Sequence, residues 1–336
     1  MKYIVCENPG HFSLKEKEKP EPKSGEVLIA IKKIGVCGTD IHAFSGNQAY
    51  FSYPRILGHE LAAEVANSNG SDKFSNGDKV ILIPYLHCGK CISCRTGKTN
   101  CCVNMRVMGV HVDGGMQEFL CVPEWALLKT HQLNFNEMAL VEPLAIAAHA
   151  IRRADVVAGE NVLVMGCGPI GLAIMAIAKS KGASVIALDI NEQRIQYAID
   201  EIGVSHGVLA GESSLEQITL LTNGDNCQAV FDATGNKRAL ESGPAYMSHG
   251  GRYVLVGLSK GDLVFNHPAI HSKETTIMCS RNATMEDFEF VISMLAAKKF
   301  PTDSFITHES AFDKMIDVFD NWVKPESQVI KAVINL

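Results

Sequence analysis

The chain has 336 residues, which at roughly 150 residues per domain predicts about two domains and excludes a single small module. Hydrophobic residues make up 46% of the sequence and charged residues 20%, a balance typical of a globular protein rather than a disordered or fibrous one. The 31 Lys and Arg residues against 37 Asp and Glu residues give a net charge of −6. Because no long basic run is present, nucleic acid and an anionic membrane are poor partners.

The amino-terminal residues and the cysteines indicate in which cellular compartment the protein is expected to act. Only four residues separate Lys2 from Glu7, too few for the apolar stretch of a secretory signal, so we expect a cytoplasmic protein. Eleven cysteines in a chain without such a signal favour metal binding or catalysis over a disulfide framework, because the cytosol keeps thiols reduced.

The first 130 residues predict a mainly β structure. Short segments, several of them β-branched, are bounded by Gly, Pro, Asn or Asp, which is the pattern of strands between turns. The predicted strands cover residues 2–6, 26–34, 61–66, 79–84 and 118–123.

The pattern changes at about Asn161, where apolar strands begin to alternate with helical segments. A strand over 161–165 is followed by a glycine turn, a helix over 171–182 and a strand over 184–189, which together predict a βαβ unit. Further strands are predicted at 229–232 and 253–257. These elements predict a mostly parallel sheet covered by helices, with a domain boundary near residue 146.

The carboxy-terminal segment contains a predicted strand over 275–279 and a helix capped by Thr284. A second helix is predicted over 312–322. The apolar face of the first helix consists of Phe288, Val291, Ile292 and Leu295. Composition alone leaves open whether this tail packs on the second domain or returns to the first.

The glycine turn has the sequence G-x-G-x-x-G, formed by Gly166, Gly168 and Gly171 with Pro169 and Ile170 between the last two. It lies directly after a strand and directly before a helix, the context in which this motif binds a dinucleotide pyrophosphate. The alternative is that the glycines only shape a tight turn in another doubly wound fold.

Two residues, one at the end of the next strand and one shortly after it, indicate which dinucleotide is bound. Asp189 ends that strand, eighteen residues beyond Gly171, where a carboxylate accepts hydrogen bonds from an adenosine ribose and repels a 2′-phosphate. We therefore expect NAD rather than NADP. Arg194 lies five residues further on and could reach a 2′-phosphate if its loop turned it inward.

A cluster of cysteines predicts a closed, structural zinc site, because four thiolates complete a tetrahedral shell. Its members are Cys88, Cys91, Cys94 and Cys102. Cys101 could compete with Cys102 as the fourth ligand, whereas His87 is interpreted as a surface loop residue. An iron–sulfur cluster and unliganded thiols are the alternatives.

A second set of metal-ligand residues is dispersed along the chain: Cys37, His59, Glu60 and Glu142. Taken singly, each residue is weak evidence for a metal site, since a lone cysteine or histidine is usually a structural residue. Together, one thiolate, one imidazole and one carboxylate leave a coordination position open, as a catalytic zinc ion requires.

Several segments together resemble the zinc-dependent medium-chain alcohol and polyol dehydrogenases. They include GVCGTDIH (35–42), PRILGHELAAEV (54–65), CGKCISCRTGKTNCC (88–102), VEPLAIAAHA (141–150) and VLVMGCGPIGL (162–172). The resemblance implies an α/β protein with a β-rich, GroES-like catalytic domain over 1–145 and a Rossmann NAD-binding domain with a doubly wound parallel sheet over 146–283. It also implies that 284–336 returns to the catalytic domain and that the protein is a homodimer or homotetramer.

The resemblance also implies roles for individual residues. Cys37 and His59 look like ligands of the catalytic zinc, with either Glu142 or Glu60 supplying the carboxylate. The Thr39 hydroxyl would contact the substrate oxygen, and His42 would pass the proton on, although His42 could instead be a solvated loop residue. Cys88, Cys91, Cys94 and Cys102 match the structural zinc lobe.

We therefore expect an enzyme with two zinc ions per chain that transfers a hydride from a secondary alcohol of a sugar acid or polyol to NAD. The segments GVHVDGG (109–115) and CSRNA (279–283) resemble sugar-acid 5-dehydrogenases such as those acting on L-galactonate or L-gulonate, and a glutamate at position 142 resembles the sorbitol, threonine and sugar-acid dehydrogenase branch. Arg281 is a candidate for binding a substrate carboxylate or the cofactor, and a solvated surface arginine is the alternative. The alternative functions are a threonine-type or simple alcohol dehydrogenase, and a relative that binds zinc and nucleotide without turnover.

Overall fold

The computed structural model describes residues 1–48 and 51–336. The strands are β1 (Lys2–Asn8), β2 (His11–Glu16), β3 (Glu26–Val36), β4 (Glu60–Asn67), β5 (Lys79–Leu82), β6 (Tyr85–Leu86), β7 (Arg106–Val107), β8 (Phe119–Pro123), β9 (Leu127–Lys129), β10 (Asn161–Met165), β11 (Ser184–Asp189), β12 (His206–Leu209), β13 (Cys227–Asp232), β14 (Met247–Leu255), β15 (Thr276–Cys279), β16 (Ile306–Ala311) and β17 (Lys331–Asn335). The helices are α1 (Gly38–Phe44), α2 (Ile92–Arg95), α3 (Phe135–Ala139), α4 (Val141–Ala154), α5 (Pro169–Ser180), α6 (Glu192–Tyr197), α7 (Ser214–Leu221), α8 (Lys237–Ser242), α9 (His267–Ser272), α10 (Met285–Ala296), α11 (Thr302–Phe305) and α12 (Met315–Trp322).

The described residues form two compact units. The first contains Met1–Glu142, Thr284–Lys298 and Thr302–Leu336, and the second contains Pro143–Ala283 and Lys299–Pro301. The division falls inside α4, three residues before the expected boundary between 145 and 146. Three residues of the tail, Lys299–Pro301, group with the second unit instead of the first.

The first unit contains a seven-stranded mixed sheet in the order β16-β17-β3-β4-β5-β9, with β8 also paired to β3. Strand β3 lies at its centre because alternate apolar side chains along it, including Ile29 and Ile31, are buried in the core. The tail helix α12 packs on this core through Phe319, whose ring centroid is 4.9 Å from Phe12 and 5.0 Å from Phe44. This aromatic cluster fixes the carboxy-terminal segment within the first unit.

The second unit contains a six-stranded parallel sheet in the order β12-β11-β10-β13-β14-β15. The chain runs outward from β10 to one edge and then from β13 to the other, so the strand order reverses between β10 and β13. In sheets of this kind, ligands bind beyond the carboxyl ends of the strands at that reversal. The prediction of an α/β fold with a doubly wound parallel sheet and a β-rich domain is confirmed.

The local predictions agree closely with the elements of the second unit. Strands β10 and β11 have the predicted bounds, and α5 begins at Pro169, two residues before the expected start, because proline is favoured in the first helical turn. In the first unit, Thr284 is the N-cap of α10, as predicted. Over the two units, the strands that were not predicted are β2, β6, β7, β9, β12, β16 and β17.

Among the described residues, no helix has the length and apolar character needed to cross a membrane.

Candidate functional site

The cysteine cluster is formed by one short segment that contains α2. The Sγ atoms of Cys88, Cys91, Cys94 and Cys102 all lie within 4.8 Å of one another. Gly89 and Gly97 have φ angles of +69° and +77°, a conformation that favours glycine and lets the segment turn back on itself. Cys101 is exposed and lies outside the cluster, whereas Cys102 is buried within it.

The surroundings of these thiols suit a metal ion. Backbone N–H groups of Lys90 and Cys91 lower the pKa of Cys88 to about 6, and two further backbone N–H groups lie 3.3 Å and 3.4 Å from Cys102 Sγ. Hydrogen bonds of this kind favour the thiolate, which is the form that binds metal. His87 is half-buried beside Trp125, with 4.5 Å between the ring centroids.

The second group of metal-ligand residues forms where β3 and β4 meet. Atoms of Cys37, His59 and Glu60 lie within 4.8 Å of one another. Cys37 directly follows β3, His59 directly precedes β4, and Gly35 pairs with Glu60 in the antiparallel register. Any side chain at Gly35 would collide with Glu60 Oε2, so the glycine is what allows the carboxylate to lie over β3.

Asp40, which the sequence analysis did not single out, accepts hydrogen bonds from the backbone on both sides of this group. The side chain is fully buried, and its Oδ2 accepts a hydrogen bond from the Cys37 backbone N–H at 2.9 Å. Its Oδ1 lies 3.2 Å from the Gly58 backbone nitrogen and 3.9 Å from His59 Nδ1. Asp40 therefore holds both loops that carry the candidate ligands, and its position in GVCGTDIH was the only sequence signal.

Lys331 brings a positive charge to the group from the far end of the chain. It is 1% exposed, forms an ion pair with Glu60, and donates a hydrogen bond to the Val36 carbonyl at 3.1 Å. Strand β17 places it there because Ala332 pairs with Val36. A lone lysine in an apolar strand indicates a partnered buried charge, but the sequence could not identify the partner.

Glu142 lies close to the group but does not join it. It is in the first turn of α4, is 2% exposed, and accepts a hydrogen bond at Oε1 from the hydroxyl of Tyr85. The set of mutually close ligand atoms contains Glu60 and omits Glu142. Of the two glutamates that the sequence left open, Glu60 lies with Cys37 and His59, and Glu142 lies outside that set.

The group fits a divalent cation. Among the described residues, His59 Nδ1, Glu60 Oε1 and Glu142 Oε2 are buried without a hydrogen-bond partner, which is costly unless another ligand satisfies them. Burial raises the pKa of Glu142 to about 7. Burial would lower the pKa of His59, but the negative charges of Cys37 and Asp40 outweigh it and raise that pKa well above its ordinary value. A cation would relieve this excess of negative charge.

The glycine turn of the second unit lies between β10 and α5. Gly166 has a φ of +96°, and a Cβ atom at Gly171 would collide with the Gly166 carbonyl oxygen, so both positions require glycine. Gly168 is the N-cap of α5, with Pro169 and Ile170 in the first turn. The backbone N–H groups at this helix start are therefore free of side-chain caps and suit an anion.

A cavity of about 720 Å³ adjoins this turn and is lined by Gly166, Gly168, Asp189 and Arg194, among others. Asp189 ends β11 and accepts hydrogen bonds from the backbone N–H groups of Cys167 at 2.5 Å and Asn191 at 2.9 Å. Each carboxylate oxygen keeps a further lone pair for a ligand hydroxyl. Arg238, which the sequence analysis missed, also lines the cavity.

The remaining predicted site residues are placed as follows. Thr39 is half-buried and His42 is exposed, and both are in α1 directly after Cys37. Arg281 is exposed just beyond β15, at the carboxyl edge of the parallel sheet. Arg194 and Asp189 line the cavity, whereas Arg281 is not among its lining residues.

Two protein-family models match the chain. The model described as the alcohol dehydrogenase GroES-like domain matches residues 23–132, and the model described as zinc-binding dehydrogenase matches residues 169–297. The first match contains the cysteine cluster and the group at β3 and β4. The second match contains the helix start at the glycine turn.

Similar proteins cover the chain almost completely. The chain is 42% identical to L-galactonate-5-dehydrogenase of Escherichia coli K12, over 99% of this chain and 98% of that protein. It is 32% identical to a sorbitol dehydrogenase of Halalkalibacterium halodurans, over 91% of each. Among solved structures, the alcohol dehydrogenase rspB of E. coli CFT073 complexed with cofactor NADH superposes with a TM-score of 0.93 at 29% identity, over 100% of this chain and 99% of that one.

Proposed function

Because the chain belongs to the zinc-type medium-chain dehydrogenase family, we propose that it oxidises a secondary hydroxyl group of a sugar acid or polyol and transfers the hydride to NAD. The observation that carries this proposal is the group of Cys37, His59 and Glu60, in which His59 Nδ1 and Glu60 Oε1 are buried without a hydrogen-bond partner among the described residues. The relatives named for L-galactonate and sorbitol support the class of substrate.

In this proposal, Cys37, His59 and Glu60 would hold a catalytic zinc ion. When bound, the ion supplies a Lewis acid that favours ionisation of the substrate hydroxyl, which must lose its proton before a hydride can leave the carbon. Asp40 fixes the His59 loop, and Lys331 restrains the Glu60 carboxylate through the ion pair. The chain thus contributes ligands that are already ordered by their neighbours.

Thr39 and His42 are proposed to move the substrate proton to solvent. They lie three residues apart in α1, so their side chains lie on one face of the helix. Thr39 is half-buried and His42 is exposed, which gives the pair an inner and an outer end. A hydroxyl can both accept and donate a hydrogen bond, and an imidazole ring has a nitrogen on each side through which a proton can pass.

The glycine turn is proposed to bind the pyrophosphate of NAD, with the Asp189 carboxylate accepting hydrogen bonds from the adenosine ribose. Arg194 and Arg238 are the positive groups of the cavity and would be the first contacts of a 2′-phosphate. Arg281 is proposed to bind either the carboxylate of a sugar-acid substrate or the cofactor through a bidentate contact.

Replacing Asp189 by asparagine is expected to weaken NAD binding about tenfold and to reduce the discrimination against NADP, because the amide cannot supply two charged acceptors and no longer repels a phosphate. Fluorescence titration of both cofactors measures the two dissociation constants. Asparagine keeps one acceptor oxygen for a backbone N–H at the turn, so a loss of folding is not expected. An unchanged ratio of the two constants would show that another residue sets the preference.

The four thiols Cys88, Cys91, Cys94 and Cys102 are proposed to hold a second, structural zinc ion, since a complete thiolate shell leaves no position for substrate. We also propose that the enzyme acts in the cytoplasm, where reducing conditions keep cysteine thiols available to bind metal. Strand β15 is an outer strand of the parallel sheet and could pair with another copy in a homodimer or homotetramer. Light scattering after gel filtration measures that oligomeric state.

A substrate screen tests the proposed function. Purified zinc-loaded protein is incubated with NAD and with sugar acids, polyols, L-threonine or simple primary alcohols, and the absorbance of the reduced nicotinamide is followed. The highest kcat/KM is expected for a sugar acid or polyol with a secondary hydroxyl group. A preference for L-threonine or a primary alcohol would refute the substrate class, and no turnover of any alcohol would refute the activity.

A further inference from the structure

Tyr85 is a buried side chain to which neither the sequence motifs nor the proposed mechanism assigns a role. It begins β6, is 4% exposed, and its ring lies 6.1 Å from that of Phe288 in an edge-to-face arrangement. Strand β6 pairs with β7 through Tyr85 and Val107. The backbone of Tyr85 is therefore fixed by strand pairing, and its buried ring packs against Phe288.

The Tyr85 hydroxyl binds only one of the two oxygens of Glu142. It donates a hydrogen bond to Oε1, while Oε2 is buried and without a hydrogen-bond partner among the described residues. Burial raises the pKa of Tyr85 well above its usual range, so the hydroxyl keeps its proton and remains a donor. The Glu142 carboxylate is thus held by a hydrogen bond at Oε1, while Oε2 remains available to accept one.

The position of this carboxylate matters because it is close to the candidate metal ligands without being one of them. Cys37, His59 and Glu60 have mutually close ligand atoms, and Glu142 is outside that set. The interaction of Glu142 with the charges of His59 and Glu60 shows that it is a near neighbour. A divalent cation attracts any mobile carboxylate nearby, so something must restrain Glu142 if the fourth coordination position is to stay open.

We propose that Tyr85 is a positioning residue that keeps Glu142 out of the metal's donor set, which leaves Glu142 Oε2 to accept a hydrogen bond from a substrate hydroxyl. This inference rests on the proposed metal-dependent function. Without the Tyr85 hydroxyl, Glu142 is free to rotate toward the ion and occupy the position that substrate needs.

The first test is the variant Tyr85→Phe, which removes only the hydroxyl group. Zinc is replaced by Co²⁺, whose visible d–d absorption depends on the number and type of its ligands, and the contribution of this site is isolated by subtracting the spectrum of the Cys37→Ser variant. A changed position and intensity of the d–d bands and slower extraction of the metal by a chelator are expected, because the Glu142 carboxylate takes the place of the exchangeable ligand and adds a fourth protein ligand. With zinc restored, kcat/KM is expected to fall about tenfold.

Two further variants keep the inference testable. Glu142→Gln should leave the cobalt spectrum close to that of the unmodified protein, since Glu142 is not a ligand, and Tyr85→Phe added to it should change the spectrum no further. The matched control is Tyr253→Phe, which removes another buried hydroxyl, bonded at 2.8 Å to the Leu240 carbonyl of the second unit. That variant should leave the cobalt spectrum unchanged.

The outcomes separate this inference from the proposed function. An unchanged cobalt spectrum in Tyr85→Phe overturns the role of Tyr85, as does an equal change in the Glu142→Gln background. A spectrum that Glu142→Gln alone alters strongly would make Glu142 a direct ligand and would also overturn it, even if Tyr85→Phe does not fold. By contrast, a difference spectrum with no bands at all would refute the metal site itself.

Discussion

The variant Cys37→Ser is expected to retain one zinc ion per chain instead of two and to lose at least about a thousandfold in kcat/KM. The Lewis acid at the substrate hydroxyl contributes several kcal/mol to lowering the barrier, and about 1.4 kcal/mol corresponds to each factor of ten. Serine replaces a thiolate ligand by a neutral hydroxyl, which binds zinc weakly. Atomic emission measures the zinc content, and the reduction of NAD measures turnover.

The control for this prediction is Cys121→Ser. Cys121 is a half-buried cysteine of β8 in the same unit, and it belongs to neither group of candidate ligands. We expect that variant to keep both zinc ions and its activity. The melting temperature of Cys37→Ser should remain close to that of the unmodified protein, since Cys37 is at the end of a strand and only partly buried. Turnover at the original rate in Cys37→Ser would contradict the mechanism.

The variant Cys91→Ser is expected to lower the free energy of unfolding by at least about 3 kcal/mol, a fraction of the roughly 10–16 kcal/mol with which zinc fingers bind structural zinc. The segment around α2 has no buried side chains within the helix. Without the metal, few apolar contacts remain to hold it. Differential scanning calorimetry should show an apparent melting temperature lowered by about 5 °C or more.

Cys101→Ser provides the matched control, because Cys101 is exposed next to Cys102 and lies outside the cluster. It should melt at the original temperature with the zinc content unchanged. Below its melting temperature, Cys91→Ser should retain its kcat within about twofold, since a closed zinc site does not touch substrate. A normal melting temperature for Cys91→Ser would argue against structural zinc in this segment.

Elements whose signal is local in sequence were predicted most accurately. The bounds of β10 and β11 agree with the prediction because buried parallel strands are continuous apolar runs, bounded here by turn residues. The capped start of α10 at Thr284 also agreed, since an N-cap depends on residues within one helical turn. Strand β12 was missed because it has only four residues without a regular alternation, and edge strand β16 because most of its residues are polar.

The candidate metal site required contacts between distant parts of the chain. The choice of Glu60 over Glu142 depends on the register in which Gly35 pairs with Glu60, and on the hydrogen bond from Tyr85 to Glu142. Lys331 reaches Glu60 across more than 250 residues because β17 returns to pair with β3. A register shift of one residue would turn these side chains to the opposite face, and no motif in the sequence reports the register.

From its residues alone, the chain was predicted to be a two-domain α/β protein with a glycine turn for a dinucleotide and a candidate four-cysteine metal site. Both sites are short segments whose chemistry depends on spacing within about fifteen residues, as in Cys88–Cys102. Which carboxylate faces Cys37, and which lysine and tyrosine restrain the two glutamates, follows only from the folded chain. Those relations depend on strand pairing and side-chain packing between residues far apart in sequence, which spacing along the chain does not encode.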